Sequence, residues 1–187
     1  MKKFILTAVA ILGLSSFALA ADNTIGVEYQ WKQDRNTNKV VNQIQLDAAH
    51  TLTKNLVVDV LVQTQQERTG NTVNGRVEAG LTYGTPVFGT VSVGVRGGVA
   101  QQITAPENYY VYNIQPAVFV DLSDKVTGVC AYKIENSFDS KYVAKSQEWS
   151  AGATYKLSKV SNVGVTYFRS NLEDQSQGLR VGYSVSF

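Results

Sequence analysis

His50 and Cys130 are the only histidine and the only cysteine in this chain of 187 residues. Neither has the company that catalysis needs. No second thiol is present for redox exchange, and no His or Cys stands at a metal-ligand spacing. His50 reads as an amphipathic interface residue and Cys130 as a small apolar one. No catalytic residue, metal or cofactor is expected. The residues that could do chemistry are ionisable ones set among apolar neighbours, two positions apart or more: Glu28, Lys32, Asp47, Asp59, Arg76, Glu78, Arg96, Lys133, Glu135, Glu148, Lys156 and Arg180. Their signs nearly balance. Charges held inside a protein must be paired or wet, so this set can form ion pairs lining a constriction. That chemistry selects ions and small solutes rather than transforming them.

The elements that carry these charges are strands. Ten alternating segments cover about 25–33, 40–52, 56–67, 76–85, 88–102, 109–122, 126–137, 146–157, 160–169 and 177–187. Period two marks half-buried strands, and no helical period competes. Short connections at "TKN" (53–55), "TPVFG" (85–89), "SDK" (123–125) and "SK" (158–159) alternate with longer, polar ones. An up-and-down meander requires that alternation. "LTKNLVV", "LSDKVTG" and "LSKVSNV" form a weak internal repeat, each with Leu and then Ser or Thr at a strand exit.

The apolar phase includes Val27, Leu46, Val60, Val77, Val93, Ile114, Cys130, Ala151 and Val165, without a charge through the strand middles. Alternation alone allows two solutions. A soluble sandwich or barrel turns this face inward, and a membrane barrel turns it to lipid. Three features favour lipid. Aromatic residues sort by height, with Tyr29, Trp31, Tyr110, Tyr112 and Trp149 toward the longer loops and Tyr83 and Tyr155 toward the short turns, as girdles at two interfaces do. Gly is frequent in the polar phase, where it relieves crowding on a concave face. An even number of strands lets the first and last pair. The expected fold class is therefore all-β, a transmembrane antiparallel up-and-down β-barrel of ten strands. An Arg at Val93 is expected to cost roughly 2–4 kcal/mol in lipid. Pro116, mid-strand, is expected to force a bulge or a broken ladder. Arg96 and Arg180 are expected to pair across the lumen with acids such as Asp47 and Glu78.

At the N-terminus, Lys2 and Lys3 precede an apolar run from Phe4 to Leu14, and Ala18 and Ala20 form a small-residue cleavage site. Residues 1–20 read as a cleaved signal peptide and 21–187 as one barrel domain. Removing the leader removes two lysines and no acid, leaving equal numbers of basic and acidic residues. Nucleic-acid binding, which needs a basic face, is not expected.

Two stretches carry a family resemblance. "GATYKLSKVSNVGVTYFRSN" (152–171) resembles a strand–turn–strand unit of general bacterial porins. "GLR" with the terminal Phe resembles the porin close. Tyr183, Val185 and Phe187 resemble the terminal signal read by the barrel-assembly machinery of Gram-negative bacteria. The resemblance implies a bacterial outer-membrane protein in contact with lipid and lipopolysaccharide, delivered by periplasmic chaperones. General porins have sixteen strands, a constriction loop and a trimeric state; this chain is too short for those, and a monomer is favoured. Small outer-membrane enzymes place a catalytic His near the outer rim, whereas His50 falls beside a short turn. The expected function is a narrow porin-like channel for ions or very small solutes, without enzyme activity. The alternative is a closed structural or surface-interaction barrel, OmpX-like or adhesin-like.

Overall fold

The computed structural model describes residues 23–67, 73–104, 108–141, 145–172 and 175–187; the leader at 1–20 lies outside them. Ten strands follow in order: β1 (Asn23–Asp34), β2 (Val40–Thr53), β3 (Leu56–Glu67), β4 (Val73–Phe88), β5 (Val91–Ile103), β6 (Tyr109–Asp121), β7 (Val126–Ser137), β8 (Ser146–Lys156), β9 (Ser161–Leu172) and β10 (Ser176–Ser186). Each pairs antiparallel with its successor, and β1 pairs with β10, so the sheet closes. The expected ten-strand barrel is what forms. At the seam Ile25 faces Val185 and Val27 faces Tyr183. Asn23 and Phe187 exchange backbone hydrogen bonds of 3.2 and 3.0 Å. The last strand is used almost to its final residue because its backbone closes the ladder.

The turns explain the internal repeat. Thr53 Oγ1 accepts from the Asn55 amide at 3.3 Å. Ser123 Oγ accepts from Lys125 and Val126 at 3.3 and 3.1 Å. Ser158 Oγ accepts from Val160 and Ser161 at 3.2 and 3.1 Å. Each hydroxyl satisfies backbone donors that the ladder has released. The preceding Leu52, Leu122 and Leu157 are exposed at the short-turn rim. One expected turn is shorter than its sequence suggests. β4 runs through "TPVF" to Phe88, with a register shift between Pro86 and Phe88. Gly89 and Thr90 alone make the turn, Gly89 at φ 52°, a left-handed conformation that costs a glycine little.

Burial is inverted relative to a water-soluble protein. Leu46 is 56% exposed and Val181 46%, both mid-strand, whereas Glu28 is 2% exposed and Glu78 4%. Ionisable groups are almost never fully buried in water-soluble folds unless paired. A continuous apolar exterior around a polar interior matches a barrel in hydrocarbon, where no backbone edge is left unpaired. Tyr29, Trp31, Tyr110, Tyr112, Trp149, Tyr83 and Tyr155 all point outward. Tyr132 and Trp149 pack at 4.3 Å between ring centroids, and Tyr112 and Phe138 at 5.0 Å.

Pro116 breaks the ladder without a bulge. Toward β5 it pairs regularly with Val95. Toward β7 the pairing passes from Ile114–Ile134 to Ala117–Ala131 with the same register, and Gln115 and Pro116 are skipped. The missing N–H of proline accounts for the gap. The amide of Tyr132, which is directed at β6 where the pairing lapses, should exchange with deuterium at least about tenfold faster than that of Cys130, since local opening follows missing bonds. Equal protection would contradict the gap.

Depth along β5 corrects the expectation for Val93. It lies two residues inside the start of its strand, near the turn, rather than at mid-height. Leu46 lies at the middle of β2. In a lipid refolding titration, Leu46→Arg should cost about 2–4 kcal/mol and Val93→Arg only about 0–1 kcal/mol.

Candidate functional site

The inward phase forms rows that run across strands along the hydrogen-bond direction. One row passes from Glu28 to Gln45, Gln63, Arg76, Gln102 and Tyr109. The row beside it begins Arg180, Gln30, Gln43, Gln65. Below them, toward the short turns, Asp59, Gly80, Gly98, Asn113 and Glu135 succeed one another. Period two thus brings residues that are distant in the chain into one polar layer.

Two ion-pair clusters occupy that layer. In the larger, Glu78 on β4 bridges Arg76 and Arg96. Arg96 also meets Asp59 at 2.5 Å, and Arg76 meets Glu135 at 2.7 Å. Lys133 lies 3.3 Å from Glu135. Asn113 donates to Glu78 at 3.0 Å and accepts from Arg96 at 3.3 Å. In the smaller cluster, Arg180 on β10 meets Glu148 at 2.5 Å and Glu28 at 3.8 Å. It donates to Gln30 at 2.8 Å and lies over the Phe168 ring, 4.3 Å from its centroid.

Two glycines make the larger cluster possible. A Cβ on Gly80 would strike the Arg96 guanidinium and, at 2.7 Å, the Asp59 carboxylate. One on Gly98 would meet Glu78 Oε1 at 2.6 Å and Arg96 at 3.0 Å. These glycines leave no open space; the ion pairs fill it.

The lumen divides by height. Its loop-end half holds a cavity of 410 Å³ lined by Glu28, Lys32, Arg76, Glu78, Arg96, Lys133, Glu135, Glu148 and Arg180 among the expected residues. The short-turn half is filled. Phe119, Ala117, Val129 and Ala131 pack together, and Val57, Thr82, Thr24, Ser184 and Ser186 are each 2% exposed or less. Asp47 and Asp59 are buried inward but do not line the cavity. Lys156 is exposed at the short-turn rim. His50 is exposed at the same end, its Nδ1 3.1 Å from Asn23 Oδ1. Cys130 is exposed on the outer face. Tyr183 and Phe187 point outward at the seam, with Val185 half-buried.

The expected pairing across the lumen is corrected. Arg96 does reach Glu78, but on the adjacent strand, and Arg180 reaches acids one and two strands away. The longest link, Arg76 to Glu135, joins β4 to β7. Arginine and carboxylate side chains reach along the wall to nearby strands more easily than across a barrel of this girth. Sequence reasoning also passed over the amides. Gln30, Gln43, Gln45, Gln63, Gln65, Gln102 and Gln115 all line the cavity. "NQIQ" (42–45) and "VQTQQ" (62–66) carried that signal, in the same phase as the charges.

At the loop end Arg35 fastens two loops together. Its guanidinium donates to the Ser170 carbonyl at 2.8 Å and to Asn171 Oδ1 at 3.0 Å. Its amide donates to the Gln175 carbonyl at 2.8 Å.

No family model matches the chain, and none of the curated proteins does. Solved structures do. The beta domain of the Bordetella autotransporter Brka aligns at TM-score 0.64 and 10% identity, over 90% of this chain and 100% of that one. An outer-membrane channel from Pseudomonas putida F1 aligns at 0.60 and 10% identity, over 92% and 97%. The NanC porin aligns at 0.51 and 10% identity, over 87% and 100%. The chain is similar to these in architecture: its fold is that of the outer-membrane β-barrels.

The two ends of the larger cluster should differ in worth. Glu78 is 4% exposed and holds two arginines, whereas the Lys133 side chain is 22% exposed. Glu78→Gln leaves buried guanidinium charge uncompensated and should cost about 3–5 kcal/mol. Lys133→Gln should cost about 1 kcal/mol or less. Urea unfolding from lipid vesicles measures both.

Proposed function

We propose that this chain is an outer-membrane barrel that acts as a narrow, porin-like channel, closed at rest, for ions or very small polar solutes. The observation that carries the reading is the cavity on the loop side, whose polar and charged lining descends to a layer of buried ion pairs. A barrel with only a structural task is stabilised as well or better by an apolar filling, because ion pairs are costly to desolvate. A path for ions needs the polar lining. Likeness in fold to an outer-membrane channel and to a porin supports the same reading. Passage requires the Arg96–Glu78–Asp59 layer to part and the Phe119 cluster beneath it to yield. Ten strands are intermediate between filled eight-stranded barrels and open porins. No residue is assigned a catalytic role.

The packed short-turn half favours a second reading, a closed barrel whose loop-side cavity faces outward and conducts nothing.

Planar-bilayer recording separates the two. The wild type should show brief, small openings. Arg96→Ala removes the bridge between Glu78 and Asp59; Glu78 keeps Arg76, whereas Asp59 loses its ion pair and adds a negative charge to the lumen. The substitution should raise conductance and shift preference toward cations, less so at high salt, because a wet lumen is screened. Arg96→Ala with Phe119→Ala should conduct more than either alone. If all of these proteins fold and none gives channel events, the closed barrel is correct.

A further inference from the structure

The loop-side cavity presents one sign of charge to anything that enters it. Six basic and four acidic side chains line it. The acids are withdrawn: Glu28, Glu78, Glu148 and Glu135 are 2%, 4%, 6% and 8% exposed. Each is engaged with arginine, Glu28 and Glu148 with Arg180, Glu78 with Arg76 and Arg96, and Glu135 with Arg76. The accessible charges are ammonium groups. The Lys133 side chain is 22% exposed, Lys32 is half-buried and Lys145 is exposed, and all three line the cavity.

Topology sets these lysines on different walls. Lys32 is on β1 and Lys133 on β7, four strands apart in a closed sheet of ten and so nearly opposite. Lys145 immediately precedes β8, at the loop end. Between them, half-buried Gln63 and Gln65 on β3 and Gln102 on β5 add amide donors. An ammonium has three donors and no acceptor. Pairing with one acid, as Lys133 does with Glu135 at 3.3 Å, therefore leaves donors for a ligand.

This lining selects among ligands. A cation meets the lysines first and reaches a carboxylate only by displacing an arginine. A neutral hydroxyl gains ordinary hydrogen bonds. An oxyanion accepts from ammonium and amide donors at once, and charge-assisted bonds are roughly twice as strong as neutral ones. We infer that the loop-side cavity binds a small oxyanion, a carboxylate or phosphate on a solute of the size of a sugar acid or sugar phosphate, held among Lys32, Lys133 and Lys145. The volume of 410 Å³ lies within the usual range of small-molecule sites, roughly 300–1,000 Å³. A cleft with accessible charge of one sign also concentrates the opposite ion within it. The inference deepens the reading of the lumen as a solute path and rests on it for its purpose.

The test is calorimetric titration of the refolded barrel in a nonionic polyoxyethylene detergent, with sodium glucuronate, glucose 6-phosphate, sucrose and putrescine as probes. At least one of the two anions should bind saturably and more tightly than sucrose or putrescine. The tighter of the two tells whether carboxylate or phosphate is the preferred group. Raising the salt should weaken anion binding by several-fold, because exposed charges are screened. Lys32→Gln should weaken it by about tenfold, the loss of roughly one charge-assisted hydrogen bond. Lys145 is exposed, so Lys145→Glu reverses a charge at the site with little cost to the fold; it should weaken binding by at least about tenfold. Lys156→Gln, at the short-turn rim and outside the cavity, should leave binding unchanged. Heat-modified gel mobility checks that each variant is folded. No saturable anion binding, equal or tighter binding of sucrose or putrescine, or unchanged anion affinity in folded Lys32→Gln and Lys145→Glu would overturn the inference. Binding does not require the lumen to open. A barrel that conducts but ignores both anions removes this inference alone, and one that binds an anion but never conducts removes the channel reading alone.

Discussion

In hydrocarbon every backbone N–H and C=O must find its partner within the chain, and an orphan costs several kcal/mol. That requirement governs this molecule. It forces β1 onto β10, so the chain is used down to the bonds between Asn23 and Phe187. It makes the hydroxyls of Thr53, Ser123 and Ser158 valuable where the ladder turns back. It also makes Pro116 the weak place in the wall, since a closed sheet has no edge on which to spend a missing donor.

Closure then determines the interior. With the apolar phase committed to lipid, every mid-strand charge goes inward, into a volume that ten strands cannot leave wide. The charges respond by pairing along the wall. Glu78 serves two guanidiniums at once, and Asp59 and Glu135 take the remaining bonds of Arg96 and Arg76. Guanidinium suits this role because its planar donors engage more than one carboxylate. The residues opposite the charges are small for the same reason. Gly80 and Gly98 yield their side-chain volume to the cluster. Below it, Phe119 and the alanines around it take over with apolar packing. The lumen therefore changes character with height, polar and hollow above, filled below.

Much of this was legible in the sequence. The count of strands, their phase and the inward direction of Glu28, Asp47, Arg76, Glu78, Arg96, Glu148 and Arg180 all follow from period two, which fixes a face. Period two does not fix a partner. Which acid meets Arg76 depends on the stagger between β4 and β7, set by every intervening register, and no local signal reports it. The β4–β5 turn was misjudged because "TPVFG" has turn composition, while closure demanded that the strand continue through it. The glutamines were overlooked because attention to charge hides neutral donors that share its phase. Nothing in a lumen residue's type says whether the space beside it is hollow, so the division between cavity and plug belongs to packing alone.

Everything said of the lumen depends on the apolar phase facing lipid, and Cys130 offers a direct probe of it. The thiol is exposed at mid-strand on that face. A fluorophore attached there in the barrel refolded into vesicles should be quenched by lipids brominated in mid-chain. The same fluorophore on Gln63→Cys, with Cys130→Ala, should respond to an aqueous quencher and not to the bromines. Quenching by lipid at position 63 and by water at 130 would contradict the account and turn the barrel inside out.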